Sequence, residues 1–216
     1  MATAVYIEGG SKRVFAYAAN WPGWCRAAKN EPEALTALAS YAPRYAPVAL
    51  EAGVAFPDKA TDFQVIERLK GTATTDFGAP DREAGGDRDP MTRQEADRLA
   101  ALLAATWTVF DRVVARAPAQ LRKGPHGGGR DRDAIVEHVI SAESAYARKM
   151  GIRDRPPAAE DATAVRAMRD AILEAIPDAV GDQDVPERGW PVRYAVRRTA
   201  WHALDHAWEI EDRSKP

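Results

Sequence analysis

The sequence predicts an α+β chain: a small N-terminal α+β domain of antiparallel strands plus one helix, followed by a four-helix bundle. Three observations lead there. Up to residue 70, short apolar runs alternate with turn residues; 71–91 is crowded with glycine, proline and alternating charge; from Thr92 onward apolar residues recur at helical spacing. The boundaries follow as 1–70 for the α+β domain, 71–91 for a linker or long surface loop, and 92–216 for the helical part.

Ala4 to Glu8 and Arg13 to Ala18 read as two strands joined by a Gly9-Gly10-Ser11 turn. Trp21-Pro22-Gly23-Trp24 makes a second turn, and Cys25 to Lys29 a third, short strand. Asn30 caps a helix whose first turn holds Glu31-Pro32-Glu33, where proline and acidic residues are favoured, and which runs through Leu35 and Leu38 towards Tyr41. Phe63, Val65, Ile66 and Leu69 mark another strand. In the helical part, Thr92 with Glu95 forms a capping box, and Leu99, Leu102, Leu103, Thr106, Phe110 and Val113 follow until Pro118 stops the run. Asp131 caps a second helix with Ile135, His138, Val139, Ala142 and Tyr146 on one stripe, ending at Gly151. A crossover opens at Pro156-Pro157, a third helix spans about Asp161 to Ile176, and a fourth runs from about Pro191 to Arg213.

The chain has 216 residues, 45% hydrophobic and 29% charged, which is the composition of a globular protein. A net charge of −2, with no basic excess in either part, argues against nucleic acid as a partner. The single cysteine, Cys25, excludes an intrachain disulfide framework and a cysteine-rich zinc site, and reads as a buried small residue rather than a nucleophile. No basic segment with a following apolar run opens the chain and no stretch has the roughly 20 apolar residues of a membrane span, so the expectation is a cytoplasmic protein without a membrane partner.

His202-Ala203-Leu204-Asp205-His206 carries the chemistry. Four-residue spacing on a helix stacks two imidazoles on one face, their Cβ atoms roughly 6 Å apart, so both can grip one metal ion. His138, on the apolar stripe of the second helix, supplies a third candidate ligand. Three histidines leave a coordination position open, which points to a reactive metal rather than a structural one. The plainer reading is three core histidines, but burying imidazoles without partners is costly. Helical projection puts Ala195, Thr199, His202, His206 and Ile210 on one inward stripe, flanked by Arg198, Asp205 and Glu209. Asp205 and Glu209 are candidates to orient the imidazoles by accepting their second N–H, against a solvated helix flank as the alternative. Arg198 is a candidate to hold an anionic group, against an ordinary salt bridge. His126, in a glycine-rich loop, is a candidate shuttle or extra ligand, against a solvated loop histidine. Trp201, Leu204 and Trp208 form a second apolar face that should meet the N-terminal domain or, in a homodimer, another subunit, against a tryptophan-lined ligand wall as the alternative.

His138-Val139-Ile140-Ser141-Ala142-Glu143 on the second helix, with His202 and His206 on the fourth, resembles the DinB-like metal-dependent four-helix bundles over roughly Thr92 to Arg213. The resemblance implies that His138, His202 and His206 bind one divalent ion, zinc or nickel, and that the protein is a thiol-dependent transferase or isomerase. Its partners would be a small-molecule substrate and a low-molecular-weight, mycothiol-like thiol. The alternatives are a metal-dependent hydrolase, or a non-catalytic metal- or ligand-binding protein. Val14-Phe15-Ala16-Tyr17, Trp21-Pro22-Gly23-Trp24 and Glu33-Ala34-Leu35 resemble HicB-like small α+β domains. No DNA-binding segment follows them, so that resemblance implies an interaction or lid module without catalytic residues.

Overall fold

The computed structural model describes residues 2–124, 128–181, 185 and 189–214. The first part is a four-stranded sheet of β1 (Thr3–Gly9), β2 (Val14–Ala18), β3 (Cys25–Ala28) and β4 (Phe63–Lys70), in the order β3-β2-β1-β4. The predicted hairpins are there, β1 with β2 and β2 with β3 antiparallel, but β4 joins β1 in parallel, so the sheet is mixed rather than antiparallel. A parallel pairing needs a crossover long enough to carry the chain back to the starting edge. Two helices between β3 and β4 provide it, where one was expected: α1 (Glu31–Ser40) and α2 (Ala42–Glu51). Asn30 caps α1 as read, its side chain accepting from the Glu33 amide at 3.0 Å. Pro43 and Pro47 hid α2. Pro43 sits in the first turn, where its missing N–H costs nothing, and only Pro47 removes an internal hydrogen bond.

Strict alternation buries both faces of the sheet. Val5, Ile7, Ala16 and Ala18 pack against α1 and α2 through Ala34, Leu38, Tyr45 and Val48. The intervening Tyr6, Phe15 and Tyr17 point the other way, into a cluster with Cys25, Ala84 and Trp201.

Residues 71–91 are neither a linker nor an open loop. They form a short helix α3 (Ala73–Phe77) and a 3-10 turn at Gly85–Arg88, strapped across the second face of the sheet. The fully buried Glu8 carboxylate accepts from the Thr75 hydroxyl at 2.5 Å and from the amides of Asp81 (2.9 Å) and Arg82 (3.1 Å). Asp87, also buried, pairs with Arg197 further along the chain. Composition reads these polar residues as solvated because it cannot see that each has a buried partner.

Four long helices follow: α4 (Arg93–Arg116), α5 (Arg132–Lys149), α6 (Ala162–Asp178) and α7 (Val192–Ser214). Their ends match the sequence reading within a few residues, and the Thr92–Glu95 capping box is formed. Asp131 is the exception. Its side chain leaves its own helix uncapped, accepting from the Leu121 amide (3.1 Å) and pairing with Lys123 (2.7 Å), and so ties down the preceding loop. The helices share one core, with Leu103, Trp107 and Phe110 from α4, Ile135 and Val139 from α5, and Ile172 and Ile176 from α6. α7 presents Ala200, Ala203 and Ala207 to it, small residues that let the neighbouring helices α4 and α5 come close.

The second apolar face of α7 meets the N-terminal sheet of its own chain. Leu204 and Trp208 join Leu102, Ala105 and Val109 of α4 in the same cluster as Trp24, Leu38 and Tyr45. The change of pattern near residue 91 therefore separates two kinds of sequence but not two independent cores. Gly23 is a point of close approach in this junction. Its φ is +90°, and a Cβ there would lie 2.6 Å from Leu204 Cδ1 and 3.0 Å from the Ala200 carbonyl oxygen. Gly23→Ala is expected to cost about 1–3 kcal/mol, read from the midpoint of urea unfolding; no loss would show that the turn and α7 are not in register. Among the described residues, no helix is long and apolar enough to cross a membrane.

Candidate metal centre

α5 and α7 pack side by side, and their facing stripes bring His138, His202 and His206 together. Each offers one nitrogen within 4.8 Å of the other two. Ring centroids are 4.9 Å apart for His138–His202, 5.0 Å for His138–His206 and 4.7 Å for His202–His206. The Nε2 atoms of His138 and His202 stand 3.2 Å apart. Two imidazoles on one tetrahedral zinc, each about 2.0–2.1 Å from it, have their nitrogens about 3.3 Å apart, so this pair already has the spacing of ligands. His206 offers the third nitrogen, within 4.8 Å of the other two.

The electrostatics favour neutral, ligating imidazoles. Burial holds the His202 pKa well below the ordinary histidine value, and the neighbouring His206, His138 and Arg198 add to the effect. His138 is lowered as well, by burial first and then by His206 and Arg130. A neutral ring keeps its lone pair for a metal. His206 Nδ1 meets Glu209 Oε2 at 2.8 Å, which leaves Nε2 as its metal-facing atom. Glu209 is in turn gripped by Arg213, and its carboxyl is held below the usual carboxylate range, foremost by the bond to His206. The donor set fits a divalent ion: three nitrogens of borderline softness, one of them oriented by a carboxylate. His202 Nδ1 is buried without a hydrogen-bond partner among the described residues.

The three flanking candidates separate. Glu209 lies where an orienting carboxylate should. Glu209→Gln is therefore expected to weaken metal binding about 10- to 100-fold in competition with a chromophoric chelator, and an unchanged affinity would show that His206 is held by other means. Asp205 does not orient a histidine. It faces the N-terminal sheet, where Arg26 of β3 donates to it at 2.8 Å, because its place on the helix is turned away from the His138 side. Arg198, one turn before His202, makes no salt bridge among the described residues. Its guanidinium lies over the Trp201 ring (4.7 Å) and the Tyr146 ring (5.6 Å), with Nε and Nη1 buried and without a partner among the described residues.

Sequence reasoning offered Trp201 as part of a ligand wall and missed the rest of the aromatic surroundings. Tyr146 and Trp201 touch the His202 ring at 5.9 Å each, and Trp190 and Tyr194 extend the cluster. Tyr146 lies on the stripe of His138, two turns on, which was the available signal; Trp190, outside any helix, offered none. It also missed the partners of Glu143. This carboxylate, 1% exposed, accepts from Trp107 Nε1 at 2.8 Å and from Arg169 Nε at 3.0 Å, locking α5 against α4 and α6 five residues beyond His138. Cys25 is buried and its thiol pKa is raised by that burial, which disfavours the nucleophilic thiolate. His126 lies outside the described residues. Comparison of the chain with protein-family models, with curated proteins and with solved structures found no match in any of the three.

Proposed function

We propose that this chain is a divalent-metal protein of the DinB-like type, its helices α4 to α7 forming a four-helix bundle whose three-histidine centre serves a thiol-dependent transferase or isomerase. The observation that carries the reading is the convergence of three imidazoles from two helices, with two nitrogens already at ligand spacing and a carboxylate orienting the third ring. Zinc and nickel both suit such a set. A divalent ion held there would supply Lewis acidity and lower the pKa of a thiol or a water. The chain's own residues do the rest: Glu209 fixes the tautomer of His206, burial keeps His202 neutral, and the aromatic cluster of Tyr146, Trp190 and Trp201 limits water beside it. Arg198, one turn from His202 and with Nε and Nη1 lacking a partner among the described residues, suits a negatively charged group on the small-molecule substrate or the thiol. The N-terminal sheet, read as a HicB-like module, acts in this account as a wall braced against α7.

A direct test is calorimetric titration of metal-loaded and metal-free protein with a low-molecular-weight thiol and with its S-methyl ether. The reading requires binding that needs both the metal and the free thiol. Equal binding of thiol and thioether would remove the thiol-dependent role, and would leave a hydrolase or a non-catalytic metal protein.

A further inference from the structure

A second candidate site lies away from the histidines, in a cleft of about 660 Å³ where the sheet, the 71–91 strap and the N-terminal halves of α4 and α7 meet. That volume is in the range of small-molecule sites, and junctions of this kind are where such sites occur. Tyr6, Trp21, Pro22 and Leu99 supply the apolar part of its lining. Three arginines line it, together with three carboxylates, and their pairing is uneven.

Asp87 is committed to the Ala84 amide and to Arg197. Glu95 is committed to the Thr92 amide and hydroxyl, at 2.8 Å each, as the helix cap. Arg98 and Arg193 are left under-used. Arg98 lies over the Trp21 ring at 4.4 Å and gives one bond, of 2.6 Å, to the Asn20 carbonyl, with no carboxylate partner among the described residues. Among the described residues Arg193 makes only long contacts of 3.4 Å, to the Pro90 carbonyl and to Glu95, and its buried Nε has no acceptor there. A guanidinium has five donors, and leaving several unmatched in a partly buried position is costly unless a ligand completes them. Asp89, exposed at the rim, has no ion-pair partner among the described residues and would repel an anion at its own end of the cleft.

We propose that this cleft binds a small organic anion, with its carboxylate or phosphate between Arg98 and Arg193 and its flat apolar part against Trp21. Guanidinium forks match the geometry of both headgroups, and the ring of Trp21, with Arg98 over its face, lines the cleft beside them. The inference does not depend on the metal centre.

The test is calorimetric titration of the full chain, at constant ionic strength, with benzoate, phenyl phosphate, inorganic phosphate and the uncharged benzyl alcohol. One or both aromatic anions should bind at a single site, which also reports the preferred headgroup. Arg98→Met and Arg193→Met, which keep the aliphatic stem, should each weaken that binding about tenfold or more, whereas Asp89→Asn should tighten it. Metal content and the far-ultraviolet spectrum should be unchanged in all three. Should a methionine variant not fold, the Arg98→Lys and Arg193→Lys variants replace it, and their loss of the bidentate fork should still weaken binding. The proposal fails if neither aromatic anion saturates a site in the wild type, if the arginine variants bind as well as the wild type, or if benzyl alcohol or inorganic phosphate binds as tightly as the aromatic anions.

Discussion

Glu143→Leu is expected to destabilise the protein by about 3–5 kcal/mol, the usual cost of removing one partner from a buried ion pair. The carboxylate is fully enclosed, and burial raises its pKa against the opposing pull of Arg169 and Trp107. Its removal strands the Trp107 N–H and leaves the Arg169 guanidinium, 8% exposed, with Asp111 as its remaining carboxylate partner. In a chain of this size the melting temperature should fall by about 10 °C. The double variant Glu143→Leu/Arg169→Met removes both charges and should recover most of the loss, because desolvating the intact pair already offsets much of its attraction. A single variant that loses less than about 1 kcal/mol would show that the pair is open to water. This pair matters to the site because it fixes the helix that carries His138.

Metal should stabilise the folded chain in proportion to its affinity. With free zinc at about a thousand times the dissociation constant, the gain is about 4 kcal/mol, again about 10 °C in the melting temperature. A chelator should reverse it, and the His202→Ala/His206→Ala variant should show no response to zinc at all. Equal stabilisation of the variant would place the bound metal elsewhere on the chain.

Much of the helical part was legible in its sequence. The Thr92 capping box, the apolar stripe of α4 and the i, i+4 histidines are local signals that need no distant partner to form, whereas the cap read at Asp131 was drawn off to Leu121 and Lys123. The three histidines could be grouped because each sat on an inward stripe of its own helix. What sequence could not supply was pairing between distant positions. Glu8 with the 71–91 strap, Asp87 with Arg197, and Asp205 with Arg26 are each separated by more than 60 residues, and each turned a residue that looks solvated into a structural tie. For the same reason Asp205 and Glu209, alike as flanking acids in the helical projection, proved different: one faces the sheet and the other the histidines. The parallel β4 and the proline-bearing α2 were hidden because strand direction is set by the crossover and because proline in a first turn does not break a helix.

The most direct measurement is elemental analysis of the purified protein, after reconstitution with zinc or nickel, beside the His202→Ala/His206→Ala variant. A three-histidine centre should hold about one equivalent of metal per chain in the wild type and almost none in the variant. A wild type that takes up no metal, or a variant that retains it, would contradict the three-histidine centre and leave those residues as core histidines of a helical scaffold.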